Sequence, residues 1–349
     1  MSVSVRRRRR SARGAGVIMP VSDEFALRTG PFRRELLAHC YRMLGSVHDA
    51  EDLVQETLLR AWRSYGEFDD QRASLRTWLY RIATNACLTA LERRGRLALP
   101  SELADPSAGS TWPLDGPGHE IAWLQPIPDG LLAPAPADPA SIVASRGSVR
   151  LALIAALQHL PARQRAVLIL RDVLAWRATE VAELLGTSTA AVNSALQRAR
   201  AQLAQVTPVE DQIAEPAEAE QRELLDQYVT AFVNADVTAL VRLLREDVEL
   251  EMPPFLSWFR GRHEVGTFIA SRVSKARDRW RAVPTSANAQ PALAMYLRGD
   301  DGAHHAHSVQ LFTFAGSGIA RIVAFVEPRL FPTFGLPPTF AAPASTSRR

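Results

Sequence analysis

Between residues 97 and 148 the chain places nine prolines: Pro100, Pro106, Pro113, Pro117, Pro126, Pro128, Pro134, Pro136 and Pro139. Proline lacks an amide donor and clashes with the preceding helical turn, so a segment this rich in it cannot hold a long helix or an interior strand. Residues 97–148 therefore read as a linker, and the sequence on either side must fold as separate units. Length agrees, since 349 residues exceed one ordinary core and suit two or three domains at ~100 to 200 residues each. The chain is 47% hydrophobic and 22% charged, a globular composition. It has no run near the ~20 apolar residues of a membrane span, so the expectation is a soluble, cytoplasmic protein without membrane contact. Arg6 to Arg10 resemble the start of a signal peptide, but residues 11–20 supply no apolar segment to follow them. Cys40 and Cys87 are the two cysteines. Both fall in helical patterns, which excludes a disulfide framework and a cysteine zinc site, and no metal or cofactor is expected.

On both sides of the linker, apolar residues recur at the spacing of amphipathic helices. In residues 30–96 they are Leu36, Leu37, Cys40, Met43 and Leu44, then Leu53, Leu58, Ala61 and Trp62, then Leu75, Trp78, Leu79, Ile82, Ala86 and Leu91. Residues 149–203 show the same period, broken at Pro161 and Gly186. Two all-α domains are expected, with a disordered basic tail over 1–29 and an acidic linker over 204–221. Residues 222–332 differ. Helical stretches over 224–234 and 237–245 precede strand-like runs at 248–252, 293–297, 308–315 and 319–326, which is the order of an α+β domain. Residues 333–349 read as a tail.

The net charge of +4 conceals an alternation: residues 149–203 carry +4, whereas 97–148 carry −5 and 204–226 carry −6. Basic helical blocks on acidic tethers suit contact with phosphate, although solvated helix faces have the same composition. Residues 176–203 narrow the choice. A short amphipathic helix around 180–185, Gly186 at the turn and a longer helix opened by Thr187 or Ser188 have helix-turn-helix spacing. Val181, Ala182, Leu185, Val192 and Leu196 would close its core. Ser188, Thr189, Ala191, Asn193, Ser194, Gln197, Arg198 and Arg200 would then face outward, small and polar side chains with arginines that suit a major groove.

Two blocks carry a resemblance to the extracytoplasmic-function sigma factors, bacterial initiation subunits of RNA polymerase. DAEDLVQETLLRAW at 49–62, followed by RASLRTWLYRIATNACLTALERR at 72–94, resembles sigma region 2. LPARQRAVLILRDVLAWRATEVAELLGTSTAAVNSALQRAR at 160–200, with DPASIV from Asp138, resembles sigma region 4. The residues fit that role. Asp49, Glu51, Asp52, Gln55 and Glu56 form an acidic face unsuited to DNA, and the resemblance implies that it meets the clamp helices of the polymerase largest subunit. Arg72, Arg76, Arg81, Arg93 and Arg94 form a basic face for the downstream promoter element. Trp78 at helical spacing reads as core; for Tyr80 both core and a stacking platform for an unpaired base stay open, and it is grouped with the basic face as a downstream-element candidate. The outward face of the 188–200 helix would read the upstream element. The two elements lie on the order of 60 Å apart, ~17 base pairs at 3.4 Å each. A linker of about 50 residues spans that distance at ~3.3 Å per residue. Arg177 replaces the usual capping Ser before the first helix of the motif, so that cap must come from elsewhere.

Residues 223–332 resemble the SnoaL-like branch of the NTF2 fold, a cone of curved sheet and helices, through LLDQYVTAFVNADVTALVRLLREDVELEMPP at 224–254, Trp258, Gly261 and FGLP at 334–337. Relatives with that fold include enzymes that place an acid or histidine in an apolar pocket, which makes Asp236, Trp258, His263, His305 and His307 candidate pocket residues. No convergent acid and base can be named, so no catalytic residue is assigned. The expectation is a sigma factor whose partners are core polymerase, promoter DNA and, in cis, its own C-terminal domain. A ligand-responsive helix-turn-helix regulator and a SnoaL-like isomerase or cyclase stand as alternatives.

Overall fold

The computed structural model describes residues 21–108, 116, 118, 120–132, 147–206, 217–273 and 279–341. Residues 1–20 of the expected N-terminal tail and residues 207–216 of the second linker lie outside them. Residues 21–29 do not continue the tail: they form helix α1 (Val21–Thr29), anchored by Phe25, whose ring lies edge-on to Trp62 and Tyr65. Helices α2 (Arg33–Leu44), α3 (Val47–Arg63) and α4 (Leu75–Glu92) complete the first unit. Ser46 and Ser74 cap α3 and α4, accepting the amides of Asp49 and Thr77, so the donors left over at each helix start are satisfied locally. The second unit holds α5 (Leu151–Gln158), α6 (Ala162–Leu168) running into a π-helical turn (Ile169–Val173), α7 (Ala178–Leu185) and α8 (Thr189–Val206).

The C-terminal unit opens with α9 (Glu218–Val233) and α10 (Val237–Leu243). Then follow β1 (Leu244–Glu251), β2 (Trp258–Arg260), α11 (Arg262–Val273), β3 (Trp280–Ala287), β4 (Gln290–Arg298), β5 (His304–Ala315), β6 (Gly318–Phe325) and β7 (Thr339–Phe340). The sheet runs β2-β1-β6-β5-β4-β3, with β7 paired to β5. Pairing is antiparallel except between β1 and β6. The expected strands are present, joined by β2 and β3, and the tail after 333 is in part structured, with Thr339–Phe340 in the sheet.

Both faces of this sheet are buried, which explains why β4, β6 and the Leu311–Ala315 end of β5 are largely apolar instead of alternating. On the inner face Leu293, Met295, Phe312, Ile322 and Ala324 pack against Tyr228, Phe232, Phe268 and Ile269 of the helices. On the outer face Ala292, Ala294, Tyr296, Val309, Leu311, Val323 and Phe325 join one core with both helical units. The stretch expected to be a free linker belongs to that core: Leu97, Leu99, Leu124 and Ile127 are buried in it. In its described parts, 97–108 and 120–132, the prolines are compatible with this because the chain makes short 3₁₀ turns (Pro100–Glu102 and Asp129–Leu131), bonding through the amides it retains; Pro113, Pro117, Pro134, Pro136 and Pro139 lie outside the described residues.

Candidate functional site

In the helix-turn-helix, Gly186 takes φ +60 and ends α7, the left-handed exit that a residue without Cβ adopts at no cost. Val181, Ala182, Leu184, Val192, Leu196 and Ala199 are buried beneath the motif. Leu184 thus takes the interior place expected of Leu185, which is partly buried. Arg177 gives α7 no side-chain cap; the bond formed at this end is the reciprocal one, in which Glu180 Oε2 accepts the Arg177 amide at 2.6 Å. Ser188 Oγ accepts the Ala191 amide at 3.1 Å and opens α8. Ser188, Thr189, Ala191, Asn193, Ser194, Gln197, Arg198 and Arg200 all point to solvent on one helix. Arg200 is held by Asp172 through two bonds of 2.9 and 2.7 Å.

The acidic face lies on α3. Asp52 and Gln55 are exposed, Glu51 and Glu56 partly so, and Glu56 binds Arg60 one turn on at 2.7 Å. Two large apolar residues extend this helix face, Leu59 at 43% and Trp62 at 39% exposure. Leu59 follows Glu56 and Gln55 by three and four residues and Trp62 follows Leu59 by three, which was the available signal, masked because a helical Trp ordinarily reads as core.

The basic strip is less free. Arg72, Arg81 and Arg93 are exposed, but Arg94 pairs with Asp49 and Arg76 with Glu35 at 2.8 Å. Of the two readings open for Tyr80 the structure takes core, which corrects its place among the downstream-element candidates: it is fully buried, its hydroxyl 3.2 Å from Glu35 Oε2 and its ring 5.5 Å from Trp176. Trp78 is partly buried against Phe68, with ring centroids 4.7 Å apart. Tyr80 is covered because α4 packs directly on α6 and the turn after it.

That packing is specific. Arg165 of α6 is buried and donates to the carbonyls of Met43, Gln158 and Leu160 and to Gln158 Oε1; removal from water pulls its guanidinium down to about 10. Arg42 of α2, likewise pulled to about 10 by burial, donates to the carbonyl and hydroxyl of Ser148. Gly45, at φ +75, leaves room that a Cβ would take away, since it would stand 2.7 Å from Leu124 of the linker and 3.0 Å from Gln158 of α5.

The β3–β4 turn meets this junction from the other side. Asn288 is fully buried and left-handed at φ 56, a conformation Asn tolerates. Its amide nitrogen donates to Tyr41 Oη and to the Val149 carbonyl, both at 2.7 Å, while its side-chain oxygen accepts the Ile127 amide at 3.0 Å. One side chain therefore ties α2, the linker and the start of the second helical unit to the C-terminal sheet. Gln290 adds a bond from the Leu151 amide, and Asp129 accepts the Ala289 amide at 2.8 Å. The linker is also clamped further back: the fully buried Glu251 accepts the Ser101 amide and pairs with Arg321, and Trp258 Nε1 donates to the Ala104 carbonyl at 2.8 Å.

Trp258 is thus an anchor for the linker and does not line the C-terminal cavity. Asp236 caps α10 by accepting the Ala239 amide, His263 is exposed on α11, and His305 is exposed beside Asp301 at 2.9 Å. Of the five candidate pocket residues, His307 faces the cavity inside the cone. Among the described residues no cluster of His, Cys, Asp and Glu is arranged to hold a metal ion, and no helix is long and apolar enough to cross a membrane.

Residues 31–97 match the model of sigma-70 region 2, and 150–203 that of sigma-70 region 4. The chain is 50% identical over 316 residues to the ECF RNA polymerase sigma factor SigG of Mycobacterium tuberculosis, covering 90% of this chain and 84% of that one. The chain belongs to the extracytoplasmic-function sigma factors. SigJ of the same organism is 30% identical to this sigma factor over 265 residues, 74% of each chain. The crystal structure of SigJ superposes with a TM-score of 0.58 at 24% identity, covering 91% of this sigma factor and 100% of SigJ, so the fold is shared across all three units. Region 2 and region 4 are the two helical units, and the third is the NTF2/SnoaL-like cone.

Proposed function

We propose that this sigma factor directs core RNA polymerase to its promoters and that the arrangement described above is its closed, resting form, held shut in cis by the C-terminal domain. In the open form, the acidic face of α3 (Asp49, Glu51, Asp52, Gln55, Glu56), extended by Leu59 and Trp62, meets the clamp helices of the largest polymerase subunit. Arg72, Arg76, Arg81, Arg93 and Arg94 face the downstream element, and the outward residues of α8 read the upstream one. The C-terminal domain acts by holding the linker and carries out no turnover.

The carrying observation is the Asn288 junction. Region 2 and region 4 touch directly, through α4 and α6 and through Arg165. Promoter elements on the order of 60 Å apart cannot be bound by two domains in contact. The linker that would separate them is fixed to the sheet at Ser101, Ala104 and Ile127. Opening must therefore release the linker from the sheet, and Asn288 is where the contacts of all the units converge.

The test is Asn288→Ala in the full chain. Small-angle scattering should report a larger radius of gyration, and transcription with purified core polymerase, at matched polymerase occupancy, should rise above that of the wild type. Unchanged size together with unchanged output would refute the closed-form reading.

A further inference from the structure

Between the inner face of the sheet and helices α9 and α11 lies a cavity of about 290 Å³, at the lower edge of the ~300 to 1,000 Å³ typical of small-molecule sites. Protein interiors otherwise pack with few voids larger than a water molecule. Most of the wall is aromatic or aliphatic, with Tyr228, Phe232, Phe268, Trp280 and Ile322 contributing from four different elements.

Besides the Tyr228 hydroxyl, which donates to Gln310, and the Trp280 indole N–H, the polar groups of the wall are Arg272, His307, Ser308 and Gln310, and among the described residues no Asp or Glu lines the cavity. Arg272 is a partly buried cation close enough to act on His307, whose imidazole burial and that charge push down to about 4, leaving it neutral at pH 7. His307 Nδ1 lies 3.2 Å from Ser308 Oγ, which leaves Nε2 as the other polar atom of the ring. Trp280 is 8% exposed, and its indole N–H has no hydrogen-bond partner among the described residues. A buried donor in that state is better satisfied by an acceptor brought in from outside. The wall thus combines flat apolar surfaces with a cation and neutral donors, and among the described residues it has no carboxylate. That chemistry favours a flat ring system bearing an anion.

We propose that the cavity is a binding site for a small planar aromatic acid, its rings among Phe232, Phe268 and Trp280 and its carboxylate toward Arg272 and His307. The site belongs to the cone alone. It goes beyond the closed-form reading and does not depend on it, because binding is measured without polymerase or DNA.

The experiment titrates the full chain with 1-naphthoate and with its uncharged amide, 1-naphthamide, by calorimetry and thermal unfolding. Naphthoate should bind saturably at one site and raise the melting temperature by mass action. The amide should bind about tenfold more weakly, the expected loss of one charge-assisted contact. Arg272→Gln should abolish the preference for the acid. Ala324→Met, which fills the void from β6, should remove binding of both while leaving the circular dichroism unchanged. Absence of saturable naphthoate binding to the unmodified chain at millimolar concentration would overturn the site, as would undiminished binding by Ala324→Met. Equal affinity for acid and amide would overturn the assignment of an anionic ligand. The first arm uses the wild-type protein, so a variant that fails to fold cannot decide the outcome.

Discussion

The two surfaces assigned to DNA differ in how much of their chemistry is already spent inside the molecule. On α8 of region 4 every outward residue from Ser188 to Arg200 is exposed, and Arg200 alone has an ion-pair partner, Asp172, which lies within the same unit. On α4 of region 2, Arg76 is engaged by Glu35, Arg94 by Asp49, and Tyr80 is covered by Trp176 of region 4. The difference has a physical source. A recognition helix is held by its own small core and needs nothing from the rest of the chain, whereas the region 2 strip borders the interface on which region 4 packs. On the proposed reading, the upstream surface is therefore complete in the closed form and the downstream surface is not.

The largest effect is expected where attraction to the polymerase is reversed. Asp52→Arg with Glu56→Arg turns two accessible positions of α3 from attraction to repulsion and should weaken binding to core polymerase by on the order of 100-fold. Circular dichroism should be unchanged, and retained pull-down affinity would break the assignment of α3.

Asn288→Ala ranks next for the packed form itself. It leaves the Ile127 amide, the Tyr41 hydroxyl and the Val149 carbonyl without their shared partner, at a cost of about 2 to 4 kcal/mol measured by denaturant unfolding. The exposed Asn234→Ala should stay within about 0.5 kcal/mol of wild type. Equal effects at both positions would remove Asn288 as the junction.

Arg198→Ala should weaken binding of upstream-element DNA by ~1 to 3 kcal/mol if the side chain meets a base edge, with the salt slope separating that case from a phosphate contact. Tyr80→Phe should leave DNA affinity of the closed chain unchanged, because its hydroxyl serves Glu35. A downstream-binding defect in Tyr80→Phe would erase the contrast between the two readers.

The smallest effect near neutrality comes from His39, buried in region 2 and pushed from 6.5 to about 3 by desolvation. The unfolded chain then binds a proton that the folded chain refuses, so stability falls as pH drops from ~6.5 toward ~3, at up to about 1.4 kcal/mol per pH unit. His39→Leu should flatten that slope in a pH series of urea melts, and an unaltered slope would exclude His39 as its source.

Parts of this arrangement were legible in local pattern and others were not. The helix-turn-helix was readable because Gly186 and the apolar spacing around it act within about twenty residues. Strand β3 was not assigned, since Pro284, Thr285 and Ser286 give it no apolar alternation; the strand tolerates the proline because it lies at the edge of the sheet. Helix α11 was hidden by Gly266, which is there because a Cβ would stand 2.9 Å from Val241 of α10. The docked linker was invisible for a different reason: Ser101, Ala104 and Ile127 are held through backbone groups, which leave no mark in side-chain pattern.

By itself, the sequence determined the family, the two helical units, the helix-turn-helix and the α+β character of the remainder, because periodicity and turn residues are local. Only the tertiary structure decided that β4, β5 and β6 use both faces, that Tyr80 is covered, that Trp258 anchors the linker and that His307 faces a cavity. Each of those outcomes depends on a partner far along the chain, such as Asn288 for Tyr41. The hydrophobic period states which side chains share a face, but not what that face will meet.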